Sequence, residues 1–495
     1  MCMKQQLVTT MFLLLVPISV IAEVRCSGLI APGQPHQTRW YCIDSEVSGP
    51  TVVITGGIHG DEPAGHRAAD QIRDWSVRSG RMYVIPRCNI QAISIGSRRF
   101  PGIKGDEGDL NRHFARSGGE TGPTSELADD LWEFIASCAP DVLLDLHEGY
   151  GFRSAGSKSV GSSIITHRDV DHEHQSRMLE HVNTQDKAPE HPFVPLRSAV
   201  NGSLVRAVAE VLRIEAHILE TTTSGQPLSR RTRQHRVMVA ARLDRLGMIQ
   251  FGDAVDLLVA DHERRRVVGI YDGPGAGGTS QGNRIESQLP GIRVERIGPS
   301  DINAGALSCF DAVIFPGGSG SAQAAAITGE GRRRIRSFVR DGGGYIGICA
   351  GSYLALHNYD WGLKLLPLDS MDRKHWRRGN ALLELSLTDE GRTMLGRDGV
   401  DVMDIQFRQG PLMSPSEHPD AEELPEPIIL ATYNTGVGRN GADPGIMIDT
   451  PAIVAGDHGL GRVFLFSPHP EKTAGLEDLL ARAINWCVPV PSAAD

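Results

Sequence analysis

Four polar residues stand out for the chemistry their types and spacing allow. His59 and Glu62 lie three apart inside Gly56-Gly57-Ile58-His59-Gly60-Asp61-Glu62-Pro63-Ala64-Gly65, a spacing at which an imidazole and a carboxylate can bind one metal ion. His147 follows the run Asp141 to Leu146, and Glu220 follows the run Arg213 to Leu219. Two neutral imidazoles and one carboxylate make the three-donor set of a hydrolytic zinc site, with a fourth position for water whose pKa falls toward about 7. Glu220 is then the candidate general base, carrying the water's proton to a leaving amine. A carbonyl oxygen that gains charge needs a cation, for which Arg99 is the candidate and Arg98 its competitor. Alone, an H-x-x-E match is weak, because a glycine turn with an incidental histidine looks the same.

A second group lies in the other half. Gly347-Ile348-Cys349-Ala350-Gly351 has the form of a nucleophile elbow, in which small neighbours permit a sharp turn and a helix N-terminus favours a thiolate. Ser467-Pro468-His469-Pro470-Glu471 follows an apolar run near the end of the chain. Cys349, His469 and Glu471 can serve as nucleophile, base and orienter. The backbone N–H groups of Gly318 and Ala350 are candidate oxyanion donors.

The elements that must position these groups are legible from apolar periodicity. Thr51 to Thr55 reads as a buried strand, and Pro63 stands where a first-turn proline starts a helix running to about Trp75. Strands are expected at Arg81 to Pro86, Asp141 to Leu146 and Arg213 to Leu219. A helix is expected over Ser125 to Cys138, where Leu127, Leu131, Phe134 and Ile135 share a face. Strands alternating with helices imply a largely parallel α/β sheet. His59, Glu62, His147 and Glu220 then all fall at or just past strand C-terminal ends, the edge where open α/β sheets bind ligands. In the second half, strands are expected at Val267 to Tyr271, Ala312 to Phe315, Gly343 to Ile348 and Val463 to Phe466, with a helix over Arg332 to Val339. The stretch Ser154 to Arg197, with His167, His172, His174, His181 and His191, reads as a polar, irregular insertion or lid, with a second metal site as the less favoured alternative.

At 495 residues the chain is too long for one ordinary core. We read residues 1–22 as a secretory signal, 23–255 as a first domain, 256–266 as a charged linker and 267–489 as a second domain. The apolar run Met11 to Ile21, with Val20 and Ala22 before the expected cleavage point, carries the export reading, periplasmic or extracellular; the run is too short for an ordinary membrane span. A net charge of −10 argues against nucleic acid as a partner. Without Cys2 seven cysteines remain, an odd number, so at least one is unpaired within the chain; Cys26 and Cys42 are a possible bridge. No zinc-finger spacing occurs, so any metal must be held by histidine and carboxylate.

The motifs around residues 56–65, Asn89 with Ala92, Asp109-Leu110-Asn111-Arg112, Asp145-Leu146-His147-Glu148 and Glu220 resemble the succinylglutamate desuccinylase/aspartoacylase branch of the M14 zinc carboxypeptidases, over roughly residues 45 to 250. The resemblance implies one zinc ion on His59, Glu62 and His147, a catalytic Glu220, and a substrate carboxylate gripped by Asn111 and Arg112, a bidentate task suited to arginine. Ile270 to Gly275, Phe315 to Gly318, Gly347 to Tyr353 and Ser467 to Glu471 resemble the biotin-protein-ligase N-terminal-like group of the class I glutamine amidotransferase-like superfamily, over about 266 to 488. The expected fold class is therefore α/β with two domains, a zinc-carboxypeptidase-like mixed sheet with flanking helices followed by a flavodoxin-like domain. No synthetase segment that would receive ammonia is visible, which argues against glutamine-dependent transfer.

Three functions follow as expectations. The first is zinc-dependent hydrolysis of an amide beside a carboxylate, in an N-acyl amino acid or at a peptide C-terminus, with the motif wording favouring the deacylase. The second is a Cys-His-Glu amidase in the second half, and the third is ligand binding without catalysis.

Overall fold

Val52 and Ile54 pack on one face of their strand and Val53 on the other, the pattern of a strand covered by helices on both sides. The computed structural model describes residues 23–116, 122–167, 172–185, 191–259 and 266–488. The proposed signal segment and residues 260–265 of the proposed linker lie outside the described residues. The first eight strands are β1 (Val24–Ile30), β2 (Thr38–Asp44), β3 (Thr51–Gly56), β4 (Arg81–Ile85), β5 (Val142–Gly149), β6 (Ser163–Thr166), β7 (Val194–Arg197) and β8 (Glu215–Thr222). They form one mixed sheet in the order β1-β2-β4-β3-β5-β8-β6-β7, whose centre, β4-β3-β5-β8, is parallel. The helices are α1 (Pro63–Ile72), α2 (Ile90–Ser94), α3 (Glu126–Ser137), α4 (His172–Gln185), α5 (Leu204–Ala207), α6 (Leu228–Arg245) and α7 (Phe251–Val255).

The second sheet begins with β9 (Val267–Tyr271), β10 (Arg293–Ile297), β11 (Ala312–Phe315) and β12 (Gly344–Ile348). After β13 (Leu368–Ser370) come β14 (Asn380–Leu387), β15 (Val402–Arg408), β16 (Met413–Pro415), β17 (Ile428–Tyr433), β18 (Pro451–His458) and β19 (Gly461–Phe466). Its order is β10-β9-β11-β12-β19-β18-β17-β14-β15, with β13 and β16 paired separately. The parallel part, β10-β9-β11-β12-β19, has the strand order of a flavodoxin-like doubly wound sheet. The protein is thus a two-domain α/β molecule. Among the described residues, no helix is long and apolar enough to cross a membrane.

Three expectations change in detail. The strands expected over 141–146 and 213–219 run on to Gly149 and Thr222 as β5 and β8, so His147 and Glu220 stand at their C-terminal ends as expected. The helix expected over 332–339 lies in the second part of the helical segment Gly320–Arg340, which is broken at Thr328 (φ 61°). Among the described residues of 154–197, 154–162 are irregular, but the rest supply β6, α4 and β7, and β6 and β7 complete one end of the first sheet. Two four-residue strands are too short to show a period in the sequence. His167 and His174 pair with Glu210 and Glu215 at 3.0 and 2.9 Å, His191 stacks on Phe152, and His181 packs at a tilt against Phe251. The side chain of His172 lies outside the described residues.

Cys26 and Cys42 are directly opposed in the β1–β2 pair, as free thiols. Burial and the neighbouring Cys26 push the Cys42 thiol up to about 12. Opposed Cα atoms of an antiparallel pair stand about 4.5–5.5 Å apart, within the span of a disulfide. Protein treated with a disulfide oxidant is expected to cross-link here. Non-reducing peptide mapping should yield one fragment joining the two cysteines; recovery of two separately alkylated peptides would count against it.

Candidate metal centre

His59 and Glu62 sit on the loop joining β3 to α1, with Glu62 as the residue capping the helix and Pro63 in its first turn. The loop lies tight against α2: a Cβ on Gly60 would fall 2.1 Å from the Ala92 carbonyl, so glycine is required there. His147 comes from β5 and Glu220 from β8, and the two are register partners across the parallel pair. Side chains at such paired positions leave the same face of the sheet.

The donors converge. His59 Nδ1 lies 2.8 Å from Glu62 Oε1 and His147 Nδ1 lies 2.8 Å from Glu62 Oε2, while the two Nδ1 atoms are 3.2 Å apart. All three residues are buried, and one ligand atom from each falls within 4.8 Å of the others. Two donors on a tetrahedral zinc ion stand roughly 3.3 Å apart, so the residues present fit such an ion. Each imidazole is held from behind, His59 Nε2 by Asp109 Oδ1 at 2.9 Å and His147 Nε2 by Asp145 Oδ2 at 2.8 Å. Asp145 is in turn held by the Thr55 hydroxyl at 2.7 Å. A carboxylate behind each metal-binding imidazole sets the tautomer and raises its basicity.

The electrostatics favour positive charge where the donors meet. Burial works against ionising Glu62, yet His59 and His147 hold its carboxyl well below the usual range. Burial likewise opposes charge on His147, and Asp145 and Glu62 overcome it, so this imidazole is held well above its ordinary value. Glu220 behaves oppositely: burial pushes its carboxyl up to about 8, against the positive charges of His147, His59 and Arg98. Its Oε2 is buried with no hydrogen-bond partner.

These groups line a cavity of about 850 Å³ that also takes in Arg98, Asn111, Arg112 and Tyr150. Arg98 donates to Glu62 Oε1 at 2.9 Å. Arg99, the residue favoured from sequence, instead donates to the Gly105 carbonyl at 2.8 Å and does not line this cavity. Adjacent residues on the loop point apart, and the structure brings Arg98, not Arg99, to the donors. Asn111 accepts from the Leu204 N–H at 3.0 Å, which leaves its amide NH2 as the donor end. Sequence reasoning assigned no role to Asp109, Asp145 or Glu148, although all three lie inside the quoted motifs; an acid two residues from a candidate ligand, as in Asp145-x-His147, was the available signal.

The second group also assembles. Cys349, between β12 and α11 (Ala350–Ala355; the intervening helices are α8, Thr279–Ser287, α9, Pro299–Ala304, and α10, Gly320–Arg340), has φ 51°, a strained value for a side-chain-bearing residue. His469 Nδ1 lies 2.7 Å from Glu471 Oε1. Burial opposes its protonation, but the charge of a nearby Cys349 thiolate and the hydrogen-bonded Glu471 raise His469 to about 9. Cys349 Sγ also donates to the Arg408 carbonyl at 3.4 Å. A Cβ on Gly317 would lie 2.6 Å from the His469 ring, so the glycine makes room for the imidazole. Gly318 bridges to Ala276, and Ala350 opens the helix after Cys349.

Comparison with known proteins agrees with both halves. Residues 48–240 match the succinylglutamate desuccinylase/aspartoacylase catalytic domain, and residues 269–369 match the N-terminal region of biotin-protein ligase. The N-terminal half therefore resembles the former family and the C-terminal half the latter. A curated relative, the N-alpha-acetyl-L-2,4-diaminobutyric acid deacetylase of Halomonas elongata, is 36% identical over 148 residues, which span 27% of this chain and 42% of that protein. Among solved structures, the Gln46His variant of cell shape determinant protein Csd4 from Helicobacter pylori is 20% identical, with a TM-score of 0.35, over 46% of this chain and 63% of that one. The mDAP-bound form of Csd4, a D,L-carboxypeptidase, is 19% identical with a TM-score of 0.34, over 46% and 62%.

Proposed function

We propose that the first domain is a zinc-dependent hydrolase that cleaves an amide bond beside a substrate carboxylate, acting on N-acyl amino acids. The observation that carries this reading is the convergence of the His59, Glu62 and His147 donors, each imidazole backed by a carboxylate, with Glu220 in register beside His147. Zinc, when bound, polarises the amide carbonyl and acidifies a water molecule. Glu220 takes that proton and returns it to the departing amine, a role suited to a buried carboxylate without a competing partner at Oε2. Arg98, beside Glu62, supplies positive charge toward the carbonyl oxygen as it becomes an oxyanion. Arg112 and the Asn111 amide bind the substrate carboxylate and so fix the bond to be cut. The Halomonas elongata relative is named as a deacetylase, which favours N-acyl amino acids over peptide C-termini. We also propose export, with cleavage after Ala22.

The test is a panel of N-acetyl and N-succinyl amino acids and short peptides, assayed with zinc-loaded and chelator-treated protein. Zinc-restorable release of an amino acid is expected. A stoichiometrically zinc-loaded protein that cleaves none of the panel would overturn the assignment.

A second reading is favoured by the strained backbone of Cys349 and by the His469–Glu471 pair in the same domain: a thiol nucleophile in the second domain. It requires rapid alkylation of Cys349 at neutral pH and turnover that survives chelation. Slow labelling, or loss of all hydrolysis on chelation, excludes it as the source of activity.

A further inference from the structure

Glu148 follows His147 on β5, but its side chain turns away from the donors. Oε2 accepts from the Ala64 N–H in the first turn of α1 at 2.7 Å. Oε1 accepts from the Thr221 hydroxyl at 3.3 Å and from Arg231 NH1. Its own N–H donates to Glu62 Oε2 at 3.0 Å. One residue is therefore tied to every segment that carries the metal centre: the start of α1 behind Glu62, β5 beside His147, and β8 beside Glu220. Arg231 is 2% exposed and balances a carboxylate that is equally withdrawn from water, and an unbalanced buried charge would move the segments that carry it.

Arg231 belongs to α6, and the neighbouring turns of this helix are clasped by the second domain. The Ser229 N–H donates to Asp272 Oδ2 at 3.2 Å. Arg233 and Arg236 donate to Asp301 Oδ1 at 3.1 and 2.6 Å, and Arg236 and Asp301 are 0% and 1% exposed. Positions 229, 233 and 236 share one face of a helix, whereas Arg231 leaves another. The helix α1 is clasped too, with Gln71 donating to Glu295 Oε2 at 2.8 Å and Arg67 paired with Glu286. The second domain thus grips the two helices that hold Glu148 in place.

We propose that Arg231, through Glu148, is a positioning residue for the metal centre, and that docking of Asp272 and Asp301 on α6 sets its position. The second domain then has a role in the first domain's chemistry whatever Cys349 does. This proposal rests on the metal-site reading above, and its test is chosen to separate the two.

In the full chain, Arg231→Met, Arg231→Lys, the neutral pair Glu148→Gln/Arg231→Met, and Asp272→Asn/Asp301→Asn are compared by circular dichroism and by zinc affinity in competition with a chromogenic chelator. Loss of an outer contact that orients metal ligands weakens metal binding about 10–100-fold, and this loss is expected for Arg231→Met, with partial recovery in Arg231→Lys. The neutral pair leaves no buried charge unbalanced, and so reports on positioning if Arg231→Met fails to fold. The distant Asp272→Asn/Asp301→Asn variant is expected to weaken zinc binding several-fold. Combined with the neutral pair it should be less than additive, because both act through one contact. A folded neutral pair that keeps zinc affinity within twofold of the parent overturns the positioning role. Unchanged affinity in the interface variant, or full additivity, overturns the coupling. Where a substrate is turned over, kcat should fall more than KM rises. Zinc affinity that responds as expected in a protein with no amidase turnover would refute the hydrolase reading alone.

Discussion

Replacing Glu220 by glutamine is expected to lower kcat by about 10²–10⁴-fold, the usual contribution of a positioned general base, while zinc stays bound. The substitution keeps the shape of a side chain that is buried and whose Oε2 has no partner, so packing is preserved and proton transfer is removed. Glu220 is not among the three converging donors, which is why metal content should be unaffected. Metal analysis alongside steady-state kinetics decides the matter. If the variant retains more than a tenth of parental kcat, another group carries the proton; if it loses zinc together with activity, Glu220 is a ligand rather than a base.

Replacing His147 by alanine is expected to abolish zinc binding at micromolar concentrations, and hydrolysis with it. This change removes one of three donors and leaves Asp145, buried at 0% exposure, without the imidazole it holds. A ligand present at 1,000 times its Kd stabilises the folded state by about 4 kcal/mol. The parent should therefore melt several degrees higher in zinc than in chelator. The His147→Ala variant should melt at the same temperature in both. A zinc-dependent rise in the variant equal to the parent's would show that the ion sits elsewhere.

Much of this architecture could be read from short-range pattern. The run Thr51 to Thr55, the glycines after it and Pro63 define a strand, a turn and a helix start within about a dozen residues, and the structure has β3 and α1 there. The strands Val267–Tyr271 and Ala312–Phe315 coincide with their apolar runs, since buried parallel strands are continuously apolar. The elbow at Cys349 was visible for the same reason, as small residues on both sides of one nucleophile mark a tight strand-to-helix turn. By contrast, β6 and β7 are too short to show a period, whereas β14 and β15 do alternate, burying Leu383, Leu385 and Leu387 and Met403, Ile405 and Phe407, a signal the sequence carries in full. Their registers are settled by partners far along the chain, such as β8 for β6 and β17 for β14.

Residue type and spacing by themselves picked out His59, Glu62 and His147 as candidate donors and Glu220 as the candidate base, because each lies near the end of a strand whose local pattern places it. What only the tertiary structure decided is which groups act on those four. Arg98 rather than Arg99 turns inward because the loop path, not the residue type, orients a guanidinium. Asp109 and Asp145 stand behind the imidazoles, the first from 50 residues away. Glu148 ties α1, β5 and β8 together through Arg231, from a helix that the second domain holds in place. Such contacts depend on the packing of distant segments, and their strength comes from burial, which exists only once the chain has folded.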